Sequence, residues 1–500
     1  MTRAPKVLFL ALDAASKDLV CDWSEQGVLP TFRALFGTSS WGTVVNAPGL
    51  YSGAVWPSVW TGVNPGRHGS YYYEQLKPGT YDVELSHVND VKREPFWNVL
   101  GRAGRRVALL DVPKAPLCEG LNGLQVVDWG THDADMPACS WPAGLIDEIH
   151  ERYGRSPFRR CDWVMRGPTP ERDLREQLMQ RIEARLAIAQ DLIAREQWDL
   201  VMAAFGDSHC VGHQCWHVHD PSHPRHDRAL AAALGDPIRD VYVALDRALG
   251  HLLQYAGPDT TVLILLSHGM AAHYDATYLL EDVLRRLEGR SASMSRAVLD
   301  HARTMWRKLP LAFTERFRTM AQTIDALPNA SDRGGRRCFA VPTNANAGGI
   351  RLNLAGREPN GMLHPGTECE AFCDALIADL HELIEPASGQ PLVREVLRSR
   401  DLFPGEYTDH LPDLVVRWNR EAPIAGAASP KIGRIVREDT STVRTGDHQP
   451  EGLYFVRGPG ITPGRVSRAA RIEDFAPTIA GLLDVQLPDV DGRALIARLH

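Results

Sequence analysis

The segment "AAFGDSHCVGHQCWHVHDPSHPRHD" at 203–227 contains six of the 19 histidines of the chain. His209 and His213 are four residues apart, so on a turn of helix both imidazoles face one side and can bind the same metal ion. Imidazole is a good ligand for zinc, iron and similar metals. The remaining four lie in a stretch broken by Asp and Pro, and we interpret them as loop residues: His217, His219, His223 and His226.

Polar residues end three of the short apolar runs that predict buried strands. Asp13 ends the run "KVLFLALD", the segment 207–213 follows "DLVMAAFG", and "SHG" at 267–269 ends the run "TVLILLSHG". In open α/β sheets, ligands bind outside the carboxyl ends of the strands. The histidine pair alone would favour a capping or solvated role. With Asp13 and His268 on neighbouring strand ends, the sequence instead predicts a metal site.

Apolar runs alternate with helical patterns along most of the chain. Runs typical of buried strands occur at 6–13, 106–113, 199–207, 261–269 and 413–418. Helical patterns occur at 170–197 and at 236–257, where Gly257 is expected to end the helix. Strands that alternate with helices predict an α/β fold with a mostly parallel central sheet and helices on both faces.

One stretch interrupts this alternation. Residues 289–345 are basic and rich in Ser, Met and Arg, and we interpret them as an inserted helical cap or lid with a turn-like end. The insertion divides the predicted catalytic core into a first part at 1–288 and a second part at 346–500. Within the second part, 346–432 contains a strand-like piece and a helix from about 368 to 383, which indicates a possible small subdomain.

Composition limits the choice of partners and compartment. The chain has 500 residues, is 44% hydrophobic and carries a formal charge of −7, which gives no reason to expect a nucleic-acid polymer or a membrane as partner. Nine cysteines, an odd number, do not suggest a disulfide framework. The apolar run from Val7 to Leu12 is too short for a signal peptide or a membrane span. We therefore expect a cytoplasmic protein, and the sequence does not indicate its oligomeric state.

The segment "GLYSGAVWPSVWTGVNPGRHG" at 49–69 resembles the nucleophile segment of the type I phosphodiesterase/nucleotide pyrophosphatase family, within the alkaline phosphatase superfamily. The family pattern T-G-x-x-P-x-x-H-G stands here at 61–69. Counting back from it places the nucleophile on Ser52, and Trp56 then matches a Trp of many members. Ser58 is a rival by residue type, but the register does not favour it.

The resemblance extends over nearly the whole chain. Asp13 matches the metal-binding Asp after the first strand, "SHGM" at 267–270 resembles the D-H-G segment, and "GDHQPEG" at 446–452 resembles the segment that supplies a late metal ligand, here His448. The segment 471–495 is similar to a structural C-terminal signature. Five segments in the right order imply an alkaline-phosphatase-like fold and two divalent metal ions, with zinc expected first and iron or manganese as alternatives.

The resemblance also implies a division of the ligands. One ion would be held by Asp13, Ser52 and His268, with Ser267 at the position of a family carboxylate, and the other by His209 or Asp207 together with His213 and His448. The family usually has Asp where His209 stands, so two expected carboxylates are absent from their usual positions. His273 is a possible replacement ligand, although a polar residue at a helix start is an equally good interpretation.

The missing carboxylates leave positive charge uncompensated, which is costly in a pocket of low dielectric. Three outcomes are open: the second metal binds weakly, Asp207 replaces a lost ligand, or the anionic oxygens of the substrate complete the site. The third would make the pocket attractive to phosphate.

The reaction implied by the resemblance is hydrolysis of a small-molecule phosphoester through a covalent phosphoserine at Ser52. A phosphodiester or a nucleotide-like pyrophosphate is the first expectation. Alternatives are a phosphomonoester, a phosphonate, or a catalytically weak homologue that binds or senses metal. Sulfate is disfavoured, because the region around Ser52 has no C/S-x-P-x-R pattern.

Overall fold

The computed structural model describes residues 4–132, 137–165, 169–290, 332–344, 346–436 and 444–496, without the side chains of Ser52 and Trp163. The chain forms two compact units. The first unit comprises Met1–Asn64, His87–Ala272 and Arg444–His500, and the second comprises Pro65–Ser86 and His273–Val443.

The strands, numbered in chain order, are β1 (Val7–Leu12), β2 (Ser40–Val45), β3 (Glu74–Leu76), β4 (Val83–Leu85), β5 (Val107–Leu110), β6 (Gly123–Val127), β7 (Cys139–Trp141), β8 (Leu200–Phe205), β9 (Thr261–Leu266), β10 (Gly269–Ala272), β11 (Cys338–Val341), β12 (Ala347–Leu352), β13 (Val393–Arg398), β14 (Leu414–Trp418), β15 (Gly426–Ser429), β16 (Gly433–Val436), β17 (Gly446–Gln449), β18 (Glu451–Arg457), β19 (Gly464–Arg465) and β20 (Ala470–Arg471).

The helices are α1 (Lys17–Glu25), α2 (Pro30–Thr38), α3 (Tyr51–Thr61), α4 (Pro65–His68), α5 (Phe96–Arg102), α6 (Leu145–Tyr153), α7 (Cys161–Val164), α8 (Pro170–Arg195), α9 (Asp207–His219), α10 (Arg228–Leu234), α11 (Pro237–Leu252), α12 (Thr277–Leu287), α13 (Thr367–His381), α14 (Ser399–Leu402) and α15 (Phe475–Leu482).

A ten-stranded sheet forms the centre of the first unit, in the order β19-β2-β18-β9-β1-β8-β5-β6-β7, with β20 also paired to β2. Strands β9, β1, β8, β5 and β6 are parallel neighbours, whereas β18 and β7 run antiparallel to theirs. Every residue of β1, β5, β8 and β9 is buried, as expected for strands covered on both faces. The predicted mostly parallel α/β sheet is confirmed.

Alternate residues of β1 enter two separate hydrophobic cores. Leu8, Leu10 and Leu12 pack on one face with apolar residues of α8 and α11. Phe9 and Ala11 pack on the other face with residues of α3, α5 and α15. Helices therefore cover both faces, as predicted, and they hold the strands in a fixed register.

That register brings three strand ends to one place. Leu12 pairs with Phe205 of β8 on one side and with Leu266 of β9 on the other. The residues that follow these three are Asp13, Gly206 and Ser267. The segments after β1, β8 and β9 therefore begin side by side at the carboxyl edge of the sheet. Strand β18 runs the opposite way beside β9, and the preceding β17 therefore also lies near this edge.

The second unit has its own antiparallel sheet, in the order β11-β12-β14-β13. Helices α12 and α13 share a hydrophobic core with this sheet. The apolar run at 413–418 forms β14 here, so it is antiparallel and does not extend the central sheet. The predicted helix near 368–383 is α13, which spans Thr367–His381.

Other predicted boundaries also changed. The helix expected to end at Gly257 ends at Leu252, followed by a short 3₁₀ turn at Leu253–Tyr255. Most of the predicted cap at 289–345 lies outside the described residues, and its described end contains β11. The cap and the divisions at 288 and 345 therefore stay predictions. The second unit also takes in Pro65–Ser86, which the proposed subdomain at 346–432 did not include.

Candidate metal centre

Helix α9 positions the histidine pair of the opening segment. It starts directly after β8 and places His209 and His213 one turn apart, with their Nε2 atoms separated by 2.9 Å. Both side chains are buried. The predicted same-face geometry is confirmed. The helix extends to His219, so His217 and His219, interpreted as loop residues, are helical: His217 contacts Thr445 and His219 contacts Asp236.

A third imidazole reaches the pair from a separate element. His448 lies on β17, which pairs antiparallel with β10 so that His448 faces Met270. Its Nε2 atom is 2.8 Å from His209 Nε2, and its ring centroid is 4.6 Å from that of His213. Three Nε2 atoms thus converge from two elements; we call His209, His213 and His448 the imidazole cluster.

A close backbone approach fixes β17 against α9. A Cβ atom added at Gly446 would lie 2.1 Å from the carbonyl oxygen of Gly212, so only glycine fits without displacement. The Gly446 carbonyl oxygen lies 2.7 Å from His213 Nδ1. A carbonyl only accepts, so His213 Nδ1 carries the hydrogen and the neutral ring presents a lone pair at Nε2.

Asp13 orients the neighbouring ring in the same way. Its Oδ2 atom is 2.7 Å from His209 Nδ1. Its Oδ1 atom accepts from Trp56 Nε1 at 2.8 Å and from Ser267 Oγ at 3.1 Å. Burial alone would raise the pKa of Asp13, but His209 and His268 bring it below its ordinary value, so the carboxyl is ionised. The ionised carboxylate accepts from His209 Nδ1–H, which leaves a lone pair at His209 Nε2.

The donor atoms of the imidazole cluster suit a cation. Two Nε2 lone pairs 2.9 Å apart repel each other unless a proton or a metal ion lies between them. Burial is the first cause that lowers the pKa of all three histidines below the ordinary value, and neighbouring charges add to it, so a proton is disfavoured. A carbonyl and a carboxylate behind Nδ1 are the usual orienting partners of metal-bound histidines. These residues fit a divalent metal ion.

The other half of the predicted centre fits a cation less well. His268 is buried, and burial lowers its pKa to about 4, so it is neutral. Its Nε2 atom has no hydrogen-bond partner among the side chains that the structure describes. Ser267 Oγ, at the family carboxylate position, lies 3.0 Å from His268 Nδ1 and donates to Asp13. One carboxylate, one hydroxyl and one imidazole compensate a second divalent charge only partly.

Ser52 occupies the first turn of α3, and its side chain lies outside the described set. Its neighbour Tyr51 donates through its hydroxyl to the carbonyl oxygen of His448 at 3.4 Å. The ring of Tyr51 is also 6.5 Å, centroid to centroid, from that of His268. The start of α3 therefore lies beside the histidines, while the role of Ser52 stays a prediction.

Asp207 pairs with two arginines. Its Oδ1 atom accepts from Arg181 Nε at 2.7 Å and its Oδ2 atom from Arg185 Nη1 at 2.6 Å. All three side chains are fully buried. Arg185 also contacts Asp111 at 3.2 Å. Both carboxylate oxygens are thus engaged by guanidinium groups, and the role of Asp207 as a replacement ligand stays a prediction.

His273 lies in the second unit, where its Nε2 atom is 2.8 Å from Asp275 Oδ2. Asp275 is thus a close partner of His273, and the role of His273 as a possible ligand stays a prediction.

Two residues near the imidazole cluster were not predicted. The ring of His132 stacks on that of His209, with centroids 3.8 Å apart and planes 27° apart. Arg444 places Nη1 3.5 Å from His213 Nε2 while Nη2 pairs with Asp162 at 3.0 Å. Neither residue belongs to a motif that spacing or residue type reveals. Only the folded chain brings them to the site.

The fold and the centre together define an alkaline-phosphatase-like α/β protein with a histidine-rich site at the carboxyl edge of its sheet. Residues 7–449 match the model of the family described as type I phosphodiesterase/nucleotide pyrophosphatase. The chain belongs to this family, whose members are phosphoester hydrolases. No curated protein matches the chain.

Two solved structures with TM-scores above 0.5 support the fold. Phosphonoacetate hydrolase from Sinorhizobium meliloti 1021 in complex with phosphonoacetate has a TM-score of 0.53 and 13% identity, covering 96% of this chain and 96% of that chain. Its complex with phosphonoformate has a TM-score of 0.52 and 12% identity, with the same coverage of 96% and 96%. An inactive variant of murine ectonucleotide pyrophosphatase/phosphodiesterase 5 with AMP has a TM-score of 0.48 and 12% identity, covering 98% and 97%.

None of the helices in the described ranges is both long and apolar enough to cross a membrane.

Proposed function

We propose that this protein is a metal-dependent hydrolase of small-molecule phosphoesters, with a phosphodiester or a nucleotide-like pyrophosphate as its substrate and Ser52 as its nucleophile. The observation that carries the proposal is the position of His209 Nε2, which lies 2.9 Å from His213 Nε2 and 2.8 Å from His448 Nε2 in the imidazole cluster. Family membership supplies the reaction class.

When bound, divalent metal ions lower the pKa of a hydroxyl and stabilise charge on the transferring phosphoryl group. His209, His213 and His448 would hold one ion, and zinc suits three imidazoles best, with iron or manganese as alternatives. Asp13, Ser267, His268 and Ser52 would hold the other. Because Ser267 is neutral and Asp207 is engaged elsewhere, we propose that the second ion binds weakly or is completed by the substrate.

Asp13 and Ser52 then have different roles in the proposed reaction. Asp13, fixed by Trp56 and His209, supplies the negative charge of the pocket. Ser52 Oγ attacks phosphorus, and the bond from phosphorus to the leaving oxygen breaks. Water then attacks the phosphoserine, the bond from phosphorus to Oγ breaks, and Ser52 is restored.

Arg444 favours a second candidate within the same reaction class. Its guanidinium lies beside His213 and keeps one nitrogen directed to that ring while Asp162 binds the other. Phosphomonoesters and unesterified phosphonates carry one more ionisable oxygen than diesters, and a guanidinium is well suited to bind it. A phosphomonoester or phosphonate hydrolase is therefore the alternative.

A matched substrate screen tests these proposals. The purified protein is assayed with bis(4-nitrophenyl) phosphate, 4-nitrophenyl phosphate and 4-nitrophenyl phenylphosphonate, before and after chelation and after addition of Zn²⁺, Fe²⁺ or Mn²⁺. We expect the diester to turn over fastest, with activity lost on chelation and regained with one metal. Preference for the monoester that disappears in Arg444→Ala would establish the alternative. Metal binding without turnover of any ester would instead support the metal-sensing interpretation.

The nucleophile is tested by a pair of serine variants. Ser52→Ala should lower turnover by about a thousandfold or more while the ion of the imidazole cluster is retained, because the attacking oxygen is removed and none of the three histidines is changed. Ser58→Ala, on the same helix, is the control and should stay active. The opposite pattern would move the nucleophile to Ser58.

We also propose a cytoplasmic location and no polymeric nucleic-acid or membrane partner. Each of the nine cysteines is a free thiol, which suits a reducing compartment. Fractionation of the native host, followed by immunodetection, would test the location.

A further inference from the structure

Three soft or borderline ligands converge next to the imidazole cluster, in a group that the proposed hydrolysis does not use. They are the imidazole of His132, in the loop after β6, the thiol of Cys161, at the start of α7, and the thiol of Cys210, in the first turn of α9. All three side chains are buried, and their ligand atoms lie within 4.8 Å of one another. We call this group the thiol site.

The distances within the thiol site match those of a metal site. His132 Nδ1 is 3.3 Å from Cys210 Sγ and 3.6 Å from Cys161 Sγ. Around a tetrahedral zinc ion with its usual bond lengths, a nitrogen and a sulfur ligand lie about 3.6 Å apart. Both nitrogen–sulfur distances are therefore close to those between ligands of a single ion, and the two sulfurs lie within 4.8 Å of each other.

The charge balance around the thiol site also permits a bound cation. Arg181 Nη2 donates to Cys210 Sγ at 3.3 Å, which would orient a metal-bound thiolate. The charge of Arg181 is already matched, because Arg181 and Arg185 pair with the two carboxylates Asp111 and Asp207. Two thiolates would then be balanced by one divalent ion, so the buried group becomes neutral overall.

His132 presents Nδ1 to the two sulfurs, although one of its ring nitrogens also lies within 4.8 Å of ligand atoms of His209 and His213. Its ring stacks face to face on His209, and a ring nitrogen coordinates in the plane of its own ring. The nitrogen at hydrogen-bonding distance from the sulfurs is Nδ1. The side chain of Gln214 closes the site, with Nε2 3.6 Å from Cys161 Sγ and Oε1 unpartnered among the described residues.

We propose that His132, Cys161 and Cys210 bind a thiophilic divalent metal ion, Zn²⁺ by ligand chemistry, at a site separate from the imidazole cluster. Two thiolates select Zn²⁺ over Mg²⁺, Ca²⁺ or Mn²⁺. The site is structural: it ties α7 and the loop after β6 to the start of α9, the helix that carries His209 and His213. This proposal does not rest on the proposed hydrolase activity.

Cobalt substitution tests the thiol site without an activity assay. The full-length protein is reduced, freed of metal by chelation and titrated with Co²⁺ alone, and a thiol assay confirms that the cysteines are reduced. Cobalt bound to thiolate gives a near-ultraviolet charge-transfer band that imidazole ligands do not give. We expect this band in the wild type and its loss in Cys161→Ser and in Cys210→Ser.

Two control variants separate the sites. Cys215→Ser removes a buried thiol from the same helix and should keep the band, because the charged neighbours of Cys215 are Glu171, Asp236 and Arg175. His448→Ala disables the imidazole cluster and should also keep it. Zinc analysis should show about one ion per chain fewer in Cys161→Ser than in Cys215→Ser.

Absence of the band in the reduced wild type at saturating Co²⁺ would overturn the proposal. So would a band that survives in Cys161→Ser. If Cys210→Ser does not fold, the wild type and Cys161→Ser still decide the question. Cobalt binding that gives no such band, and that is lost in His448→Ala but kept in both cysteine variants, would place all bound cobalt in the imidazole cluster and would also overturn the proposal.

Discussion

Helix α9 carries two buried polar groups within its first two turns, and they are built on opposite principles. At its first residue, Asp207 gives both carboxylate oxygens to guanidinium donors of Arg181 and Arg185. Within the next six residues, His209 and His213 bring their Nε2 atoms to 2.9 Å from each other, with Nδ1 of each ring directed to a carboxylate or a carbonyl oxygen. The first group is complete within the protein, and we propose that the second is completed by a metal ion.

The comparison separates structural from functional burial of polar side chains. Burying an ionised carboxylate is tolerated where opposite charges and hydrogen bonds surround it. Burying two neutral imidazoles whose Nε2 lone pairs face each other stabilises little by itself, because His209 and His213 both carry their hydrogen on Nδ1. The ion-pair group should therefore govern the free energy of unfolding, and the imidazole cluster should govern metal affinity.

Removing an imidazole from the cluster should have the largest effect. His213→Ala is expected to weaken metal binding by more than about 100-fold, because it deletes a direct ligand, whereas the loss of an outer partner costs 10–100-fold. Activity should fall in parallel. Elemental analysis after gel filtration and metal titration of the metal-free protein measure the change.

His219→Ala is the matched control on the same helix. His219 pairs with Asp236 at 2.7 Å, remote from the cluster, so this variant should keep its metal and lose about 1 kcal/mol of stability or less. Wild-type metal affinity in His213→Ala would show that the facing nitrogens do not bind an ion.

Removing one charge from the ion-pair group should give the next largest effect. Asp207→Asn leaves Arg181 and Arg185 buried with less opposite charge, so the free energy of unfolding should fall by about 3–5 kcal/mol. Urea denaturation of the metal-free protein measures this without the contribution of bound metal. The metal affinity of the folded variant should stay close to that of the wild type.

The reverse result would break the comparison. If Asp207→Asn unfolds at the same urea concentration as the wild type but loses metal, Asp207 is a metal ligand. The arginine contacts would then contribute little to the free energy of unfolding.

The fit between β17 and α9 predicts a smaller effect. Gly446→Ala places a methyl group against the carbonyl oxygen of Gly212, so β17 must shift and move His448 away from the pair. Metal affinity should fall by about 10–100-fold, as for the loss of an orienting partner. Metal titration measures it, with Gly37→Ala as the control, since a Cβ at exposed Gly37 meets nothing within 4 Å. Equal affinities in the two variants would mean that β17 adjusts without cost.

The sequence predicted those parts of the site that local pattern determines. The buried runs fixed the strand ends that bring Asp13, Gly206 and Ser267 together, and the i, i+4 spacing predicted the shared face of His209 and His213. The prediction that His448 joins the two histidines of α9 came from the family resemblance, because its position in the sequence does not indicate that it lies near α9. The sequence therefore predicted the central sheet and most of the cluster.

The remaining parts depend on contacts between distant segments. Arg181 and Arg185 lie on a helix whose pattern indicated only amphipathicity, so their pairing with Asp207 could not be anticipated. His132 and Cys161 lie in a region without a readable motif. The run at 413–418 has the composition of a parallel strand, yet it pairs antiparallel in the second unit. Composition can indicate that a segment is buried, but it does not indicate which distant segment it packs or pairs with.

The smallest expected effect concerns the hydrogen bond that Trp56 Nε1 donates to Asp13 Oδ1 at 2.8 Å. Trp56→Phe keeps an aromatic ring but removes this donor. Asp13 then keeps Ser267 and His209 as partners, so the carboxylate is less firmly oriented but still ionised. We expect metal affinity to fall by about tenfold, at the lower end of the range for outer partners, and metal titration measures it.

Trp60→Phe, one turn further along α3, makes the same chemical change without touching the site. Trp60 is fully buried, and its Nε1 atom has no hydrogen-bond partner among the described residues, so its loss removes ring volume but no bond to a ligand. Both variants should lose some stability through packing. Only Trp56→Phe should bind metal more weakly. An equal loss of affinity in both would mean that the packing of α3, and not the hydrogen bond to Asp13, sets the geometry of the centre.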